Sequence, residues 1–296
     1  MTSPAASPLR APVDYAHLAP VSDLAVPLGA DKLQIPRITA SGAAAWGQST
    51  DGTMPILSLG AQVDERVVGF AKIASRVTWR DEGRAQLLGV NLAAEFEREA
   101  AQVLGVALQR AVFVGEEALG WPSIFAEAGE TNASTADLEG SSAPTTATVV
   151  QACLAAAGAV NESGRGQIVV NRIGISPALH RWLGSRAWST GSDISARTYL
   201  FNELKEGYGL GPDAIKMMDP LDDPTAQKSR FVAAYADPAG LGYGSMLLTV
   251  PEPVLIVYET NARMSEWFLP CAGAFRRSAR AIATATFTNS KIAAKS

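Results

Sequence analysis

The sequence contains few of the residues that usually build metal and redox sites. Only two cysteines, Cys153 and Cys271, and two histidines, His17 and His180, occur among its 296 residues. The cysteines form no C-x-x-C pair and the histidines lie far apart, so the chain lacks a metal-ligand spacing. We predict buried thiols in a reducing compartment, a structural role for His180 and no cofactor.

Charged residues are scarce as well. They make up 18% of the chain, basic residues form no run, and the formal net charge is −4. Tight binding of nucleic acid without regard to its sequence needs many lysines and arginines that face phosphates, so this class of function is disfavoured. A wall that merely surrounds nucleic acid has no such requirement.

Long apolar runs are missing too. No stretch is apolar for long enough to span a bilayer, and residues 1–30 lack the basic start and apolar run of a signal peptide. We therefore expect a soluble protein of cytoplasmic origin without a membrane partner. Residues 1–30 are rich in Ala, Pro and Ser and predict an extended arm that is ordered only where it lies on something else. A flexible tail is the alternative.

Apolar residues make up 47% of the chain, enough for a sizeable core. The longest periodic stretch runs from Asp81 to Gly115 and predicts one amphipathic helix, whose acidic first turn complements the helix dipole. Some thirty residues of helix would span about 45 Å. Its apolar residues follow steps of three or four and predict one stripe: Leu88, Leu92, Phe96, Val103, Ala107, Ala111 and Val114.

The residues before this helix favour β-structure. A short strand is predicted from Leu33 to Thr39, and a second β-rich stretch runs from Gln62 to Trp79. A loop near Ser49 to Gly52 would join them into a long two-stranded hairpin. Because a protruding hairpin is only marginally stable alone, we expect its apolar residues to be covered by a neighbouring copy of the chain.

The residues after the long helix mix helices with strands, so the fold class is predicted as α+β. Residues 130–146 are predicted as a loop. We predict one helix from Thr148 to Val160 with Thr145 or Thr146 as its cap, one after Ser176-Pro177, and one from Ala196 to Lys205 capped by Ser192 or Asp193. Strands are predicted at Gln167–Val170, Ile215–Met218, Phe231–Tyr235, Met246–Val250, Val254–Tyr258, Trp267–Pro270 and Ala281–Phe287.

No arrangement of residues composes an active site. The glycines of Gly207–Gly211 follow a helix and lack the lysine of a phosphate loop, and Gly242–Ser245 does not match a nucleophile elbow. The acidic pairs Asp222-Asp223 and Glu116-Glu117 are predicted to be solvated. Arg276 and Arg277 form the densest basic spot; they would steady an intersubunit carboxylate, touch packaged nucleic acid, or simply be exposed.

The order of these parts resembles the major capsid proteins of tailed bacteriophages, which have the Hong Kong 97-like fold. Ile35 to Thr39 followed by Ala45-Trp46 looks like the opening of one phage coat subfamily, as does Val112 to Gly115 running into Gly120-Trp121-Pro122. In that last motif Trp121-Pro122 replaces the usual Gly-Leu. The resemblance implies an N-terminal arm at 1–34, an extended loop at 35–80, a peripheral domain with the spine helix at 81–130, an axial domain at 131–258 and a return to the peripheral domain at 259–296.

The resemblance also implies a mechanical function. Copies would form pentamers and hexamers that tile an icosahedral shell around double-stranded DNA without reading its sequence. The shell would assemble in the host cytoplasm and become the virion capsid, with scaffolding, portal and decoration proteins as candidate partners. The expected intersubunit residues are Trp46, Phe70, Lys72, Trp79, Arg276 and Arg277. A Lys72–Asn289 isopeptide bond between neighbours is conceivable, with a solvated lysine as the better alternative.

Three other functions stay open at this point. A shell of the same fold that encloses protein cargo, as encapsulins do, is the nearest, although the Pro-rich arm favours a phage coat. The second is a soluble α+β enzyme with an unrecognised site, for which the chain offers few converging titratable groups. The third is an oligomeric binding protein without catalytic activity.

Overall fold

The computed structural model has an α+β fold, as predicted. It describes residues 14–21, 31–41, 58–127, 129–141, 143–163, 168–237, 246–248, 254–258, 262–276 and 281–292. The helices are α1 (Trp79–Leu87), α2 (Leu92–Phe113), α3 (Ile124–Glu127), α4 (Thr146–Ser163), α5 (Pro177–Gly184) and α6 (Ala196–Tyr208). The strands are β1 (Lys32–Ser41), β2 (Ser58–Val67), β3 (Gly69–Thr78), β4 (Gly129–Asp137), β5 (Arg172–Ile175), β6 (Ile215–Met217), β7 (Asp222–Asp223), β8 (Lys228–Ala234), β9 (Met246–Leu248), β10 (Val254–Tyr258), β11 (Ala262–Cys271), β12 (Ala274–Arg276) and β13 (Ile282–Thr288).

The predicted hairpin is formed by β1 and β2. They pair antiparallel from Lys32 opposite Val67 to Ser41 opposite Ser58, and neither pairs with any other described strand. Ten residues at about 3.4 Å each make a projection about 34 Å long. The predicted loop near Ser49 to Gly52 lies outside the described residues.

The second predicted strand, Gln62 to Trp79, is in fact two strands and the start of a helix. The chain leaves the hairpin at Val68, and β3 then pairs with β11, which also pairs with β10. Trp79 is the first residue of α1, because the Thr78 hydroxyl caps this helix by accepting from the Asp81 N–H at 3.2 Å. We call the β1–β2 hairpin the projection and the remaining described elements the body. The boundary between them lies at Gly69, where β3 begins.

The prediction of one continuous helix from Asp81 to Gly115 is wrong. α1 ends at Leu87, and Gly89 takes a left-handed conformation with φ 70°. The Val90 N–H donates to the Ala85 carbonyl at 2.9 Å and the Gly89 N–H to the Gln86 carbonyl at 3.0 Å, which is a Schellman termination. Asn91 then caps α2 by accepting from the Ala94 N–H. The long amphipathic stretch is therefore two helices.

The predicted apolar stripe of this region is only in part the buried one. Phe96 and Ala111 of that stripe pack with the core, but Ala100, Leu104, Leu108 and Val112 of α2 are also buried there and lie on a stripe displaced by one residue. The stretch carries two apolar stripes side by side, and the stripe with the larger leucines packs against the core because it removes more apolar surface from water. The other stripe, with Val103, Ala107 and Val114, faces outward.

Gly89 offers a direct test of this helix boundary. Replacing it with alanine should lower the free energy of unfolding by about 1 to 2 kcal/mol, because the left-handed conformation brings Cβ too close to the carbonyl oxygen. The matched control is Gly83→Ala inside α1, where alanine should raise the free energy of unfolding by about 0.5 to 1 kcal/mol. Urea unfolding measures both; the same sign for the two variants would contradict the boundary.

A six-stranded sheet lies between two hydrophobic cores. Its strand order is β4-β13-β8-β5-β6, with β7 on β8. In β8, Phe231 and Ala233 pack in the core with α4, α5 and α6, whereas Val232 and Ala234 pack in the core with α2. A strand covered on both faces explains this continuous apolar run.

Several predicted elements are confirmed, and others lie at different positions in the sequence than predicted. As predicted, Thr145 accepts from the Thr148 N–H at the start of α4, and Pro177 lies in the first turn of α5, which Ser176 caps. α6 is capped by Ser195 instead of Ser192 or Asp193. The strand expected to begin at Gln167 starts only at Arg172 as β5, since residues 168–171 form no strand. The predicted loop 130–146 contains most of β4, which pairs parallel with β13. The late segment contributes β11 to one sheet and β13 to another.

Residues 14–21 lie on the chain's own body. We call them the strap, because they contact both α2 and β6, an end strand of the six-stranded sheet. Leu18 and Ala19 are fully buried in the core that contains α2. The Asp14 carboxylate lies 2.6 Å from the Lys216 ammonium, and the Asp14 N–H donates to the Gln109 side chain on α2. The arm was expected to be ordered only where it lies on something else, and in this portion it lies on the chain's own body.

The strap also predicts a pH dependence. The His17 Nε2 lies 3.0 Å from the Ile173 carbonyl, and burial, with Arg172 and Lys216 nearby, lowers the pKa of His17. The neutral ring is favoured in the fold, so this contribution to stability is present above the unfolded pKa of about 6.5 and is lost as pH falls below it. We expect His17→Gln to flatten the fall in stability between about pH 7 and pH 5.5; an unchanged slope would contradict this role.

Candidate intersubunit surface

The hairpin exposes apolar side chains together with an ion pair. Val63 and Val67 are exposed and share one face of β2 with Glu65, because side chains alternate along a strand. Glu65 accepts from the Lys32 ammonium at 2.9 Å, which lowers the pKa of Glu65 and raises that of Lys32. A surface that combines apolar and paired charged groups suits contact with another protein.

Phe70 and Lys72 continue this surface onto β3. Phe70 is 39% exposed, and the Lys72 ammonium lies 5.9 Å from the centroid of its ring. The same ammonium lies 5.8 Å from the Phe268 ring on β11. Lys72 is exposed, as expected for a solvated lysine, but it also makes these two cation–π contacts.

A cross-link between Lys72 and Asn289 is not supported by the surroundings of the asparagine. Asn289 is only 4% exposed, and its side-chain amide donates to the Ser229 hydroxyl at 3.2 Å. Its backbone N–H donates to the Gln227 carbonyl at 2.7 Å. A buried, hydrogen-bonded amide is not accessible to the lysine of another copy in this conformation.

Exposed apolar side chains also occur at both ends of α1. Trp79 at its start is 56% exposed, and Leu87 and Leu88 at its end are 89% and 68% exposed. Trp79 was predicted as a contact residue, whereas the leucine pair was missed. The signal in the sequence was Gly89, because a leucine pair directly before a terminating glycine has no further helical turn to cover it.

The outward stripe of α2 extends the same kind of surface. Val103, Val106 and Val114 are exposed at spacings of three and eight, which places them on one side of the helix. A cavity of about 420 Å³ opens beside this stripe, between β3, α2 and residues 116–121. It is lined by Phe70, Arg110, Glu116, Leu119, Trp121 and Cys271, among others.

The remaining predicted contact residues are only partly described. Trp46 and Arg277 lie outside the described residues. The backbone of Arg276 belongs to β12 and pairs with Met246 of β9. The contact roles of these three residues stay predictions.

The acidic pair Asp222-Asp223 was predicted to be solvated, but both carboxylates accept hydrogen bonds from protein groups. Asp222 accepts from the Ser229 hydroxyl and from the Ala178 N–H at the start of α5, both at 2.9 Å. Asp223 accepts from Arg230 at 3.3 Å. Burial opposes its ionisation, but the hydrogen bonds from the Ala226 N–H and Arg230 outweigh it and lower the pKa of Asp223. These carboxylates connect β8 to α5.

The two cysteines and His180 are surrounded by groups of the fold that make their charged forms less favourable. Both cysteines are buried, and burial raises the pKa of Cys271 to about 11 and that of Cys153 still further. Burial and nearby Arg197 lower the pKa of His180. Within the described ranges, no group of three or more metal-ligating side chains occurs, and no helix is long and apolar enough to cross a membrane.

Solved structures share this architecture over nearly the whole chain. The capsid of Myoviridae phage XM1 matches with a TM-score of 0.65 and 13% identity, over 97% of this chain and 96% of the other. The capsid of the native GTA particle matches with a TM-score of 0.64 and 11% identity, over 97% and 94%. A structure from Microbacterium phage Oxtober96 matches with a TM-score of 0.60 and 17% identity, over 98% and 95%.

Comparisons at the level of sequence give no relative: no family model matches the chain, and no curated protein matches it. The structural matches nevertheless define the class of fold. The chain has the fold of these capsid structures, the Hong Kong 97-like fold, with the hairpin, the helices α1 and α2 and the six-stranded sheet described above.

Proposed function

We propose that this chain is a major capsid protein whose copies form pentamers and hexamers and tile an icosahedral shell around phage DNA. The observation that carries the proposal is the match to phage capsids along nearly the entire chain, with a TM-score of 0.65 for the phage XM1 capsid. Because the likeness includes the projecting hairpin as well as the body, it concerns the parts that a shell protein uses to contact its neighbours.

The surfaces of the described residues support repeated contacts between copies. A closed shell needs heterologous contacts, in which each copy presents different surfaces to different neighbours. The hairpin supplies one surface, and the exposed side chains of α1 and α2 supply others. Phe70 and Lys72 continue the hairpin surface onto β3, and Trp79 lies at the start of α1. We propose that Trp46, Arg276 and Arg277 add to these contacts. Fully buried aromatic anchors commonly dominate such interfaces.

The charge and the titratable groups agree with a mechanical role. A net charge of −4 suits a wall that must surround DNA without adhering to it. The buried cysteines and the hydrogen-bonded acidic pair serve the fold, so we propose no catalytic activity. The virion is the proposed location, with assembly in the host cytoplasm and with scaffolding, portal and decoration proteins as candidate partners.

Sedimentation velocity of the purified chain tests the proposal. We expect capsomers and large particles to appear as the concentration rises, with or without an added scaffolding protein. A monomer at every concentration and in every assembly buffer would contradict the proposal. The content of the particles separates the two kinds of shell: nuclease-protected DNA in particles from infected cells favours a phage capsid, and a specific protein cargo favours a compartment.

A further inference from the structure

Trp121 is the largest side chain at the junction where the hairpin meets the body. β2 ends at Val67 and β3 begins at Gly69, so Val68 alone separates projection from body. Trp121 is 7% exposed, and its indole N–H donates to the Val67 carbonyl at 2.9 Å. The last residue of the hairpin is therefore bonded to a side chain of the body.

Three glycines from separate parts of the chain enclose Trp121. A Cβ on Gly69 would lie 2.9 Å from Cη2 of the indole ring, and a Cβ on Gly273 would lie 2.8 Å from its Cγ. A Cβ on Gly115 would lie 2.5 Å from the Trp121 carbonyl oxygen. Contacts this short do not occur, so the start of β3, the turn before β12 and the end of α2 all require glycine around this one residue.

The backbone around Trp121 is equally constrained. Its N–H donates to the Glu116 carbonyl at 3.0 Å, and the Glu116 N–H donates to the Trp121 carbonyl at 2.9 Å. At the base of the hairpin, the Val68 N–H donates to the Asp31 carbonyl at 2.9 Å, which extends the β1–β2 pairing by one residue. The two strands are therefore joined to each other at their base, and the indole of Trp121 ties this base to the body.

We propose that Trp121 is a positioning residue that fixes the direction in which the β1–β2 hairpin leaves the body, and that it thereby sets the angle between neighbouring copies. The second half rests on the proposed function. Ten strand residues at about 3.4 Å each make the hairpin about 34 Å long, so a rotation of about 10° at its base would move its far end by about 6 Å. A small rotation at Trp121 would therefore produce a large displacement at the far end of the hairpin, where copies are proposed to meet.

Trp182 provides a matched control. It is 3% exposed, and its indole N–H donates to the Leu138 carbonyl at 2.8 Å in the core with α4, α5 and α6. The variants Trp121→Phe and Trp182→Phe both remove a buried indole hydrogen bond and keep an aromatic ring. Only the first acts at the base of the hairpin.

The first measurement uses the unassembled full chain at low concentration. Spin labels are placed on cysteines introduced at Val63 on the hairpin and Ala101 on α2, both exposed, while the native cysteines are buried. Trp121→Phe should broaden the distance distribution between the labels. The Val68 amide keeps its bond to Asp31 but should exchange about fivefold faster, because the loss of the adjacent indole–Val67 hydrogen bond makes local opening of the hairpin base easier by about the contribution of one neutral hydrogen bond. Trp182→Phe should change neither.

Either of two results overturns the proposal: a wild-type distance distribution in Trp121→Phe, or an equal broadening in Trp182→Phe. If Trp121→Phe does not fold, Leu119→Ala serves instead, because Leu119 flanks the same ring at Gly69. This variant should also broaden the distribution, and a wild-type result for it would count equally against the proposal.

The second measurement is the diameter of assembled particles by electron microscopy. Trp121→Phe should give particles of mixed diameter, and Trp182→Phe particles of uniform wild-type diameter. Uniform wild-type particles from Trp121→Phe would overturn the link to shell geometry. If the wild-type chain forms no particles, the proposed function fails, whereas the label distances still decide whether Trp121 positions the hairpin.

Discussion

A chain that lacks residues 36–63 should fold normally and form no shells. Ile35 lies opposite Asp64 in the hairpin, so these two residues can be joined by an Asn-Gly pair, which favours a two-residue turn. The shortened hairpin keeps its attachment to the body through Val67 and Val68. Since β1 and β2 pair with no other described strand, the free energy of unfolding should change by less than about 1 kcal/mol.

The assembly defect is expected to be complete because the shortened chain loses most of the hairpin strands, which pair with no other described strand and are proposed to contact a neighbouring copy. The control is Lys291→Gln, which removes the exposed ion pair with Glu139 away from the hairpin; an exposed pair contributes little, so this variant should assemble. Urea unfolding and sedimentation velocity measure the two effects separately. Shells of normal size from the shortened chain would show that the hairpin is not needed between copies.

Leu18→Ala should be strongly destabilising even though residue 18 lies near the start of the chain. Leu18 is fully buried, and a Cβ on Gly174 of β5 would lie 3.0 Å from its Cδ1, so the leucine fills the space directly over the sheet. Truncating a buried leucine leaves a cavity and typically lowers the free energy of unfolding by about 2 to 5 kcal/mol.

The control for this prediction is Val21→Ala in the same strap. Val21 is exposed, so its truncation should change the free energy of unfolding by no more than about 0.5 kcal/mol. Urea unfolding of the unassembled chain gives both values. Equal, small effects would mean that the strap does not belong to the folded body.

The α+β class and the order of elements could be predicted because they depend on local patterns. The hairpin strands, α4 with its Thr145 cap and α5 with its Ser176 cap all follow from periodicity and capping residues. The break in the long helix was equally local. Gly89 and Asn91 are typical of a helix end followed by a helix start, but the apolar period on both sides outweighed them in the prediction.

Features that depend on distant residues could not be predicted. β4 has the polar sequence Gly-Glu-Thr-Asn-Ala-Ser-Thr-Ala-Asp and no alternating pattern; it is a strand because β13 pairs with it from about 150 residues further along the chain. The buried face of α2 is decided in the same way, since two apolar stripes were available and only the packing partners choose between them.

The residues of the candidate surface also divide into those that local sequence could predict and those that depend on distant residues. Phe70 and Trp79 were named as anchors between copies because they lie in the predicted hairpin stretch. Both are exposed in the single chain, and their contact roles stay predictions. Trp121 was noticed only as an unusual substitution in a motif. Its position at the base of the hairpin depends on Gly69, Gly115 and Gly273, which are far apart in sequence and meet only in the folded chain.

An electron-microscopic reconstruction of assembled particles tests the central claim most directly. The account predicts a closed shell of pentamers and hexamers in which the β1–β2 hairpin of each copy lies on a neighbouring copy. A reconstruction in which each hairpin folds back onto its own body, or a chain that stays monomeric under every assembly condition, would contradict it.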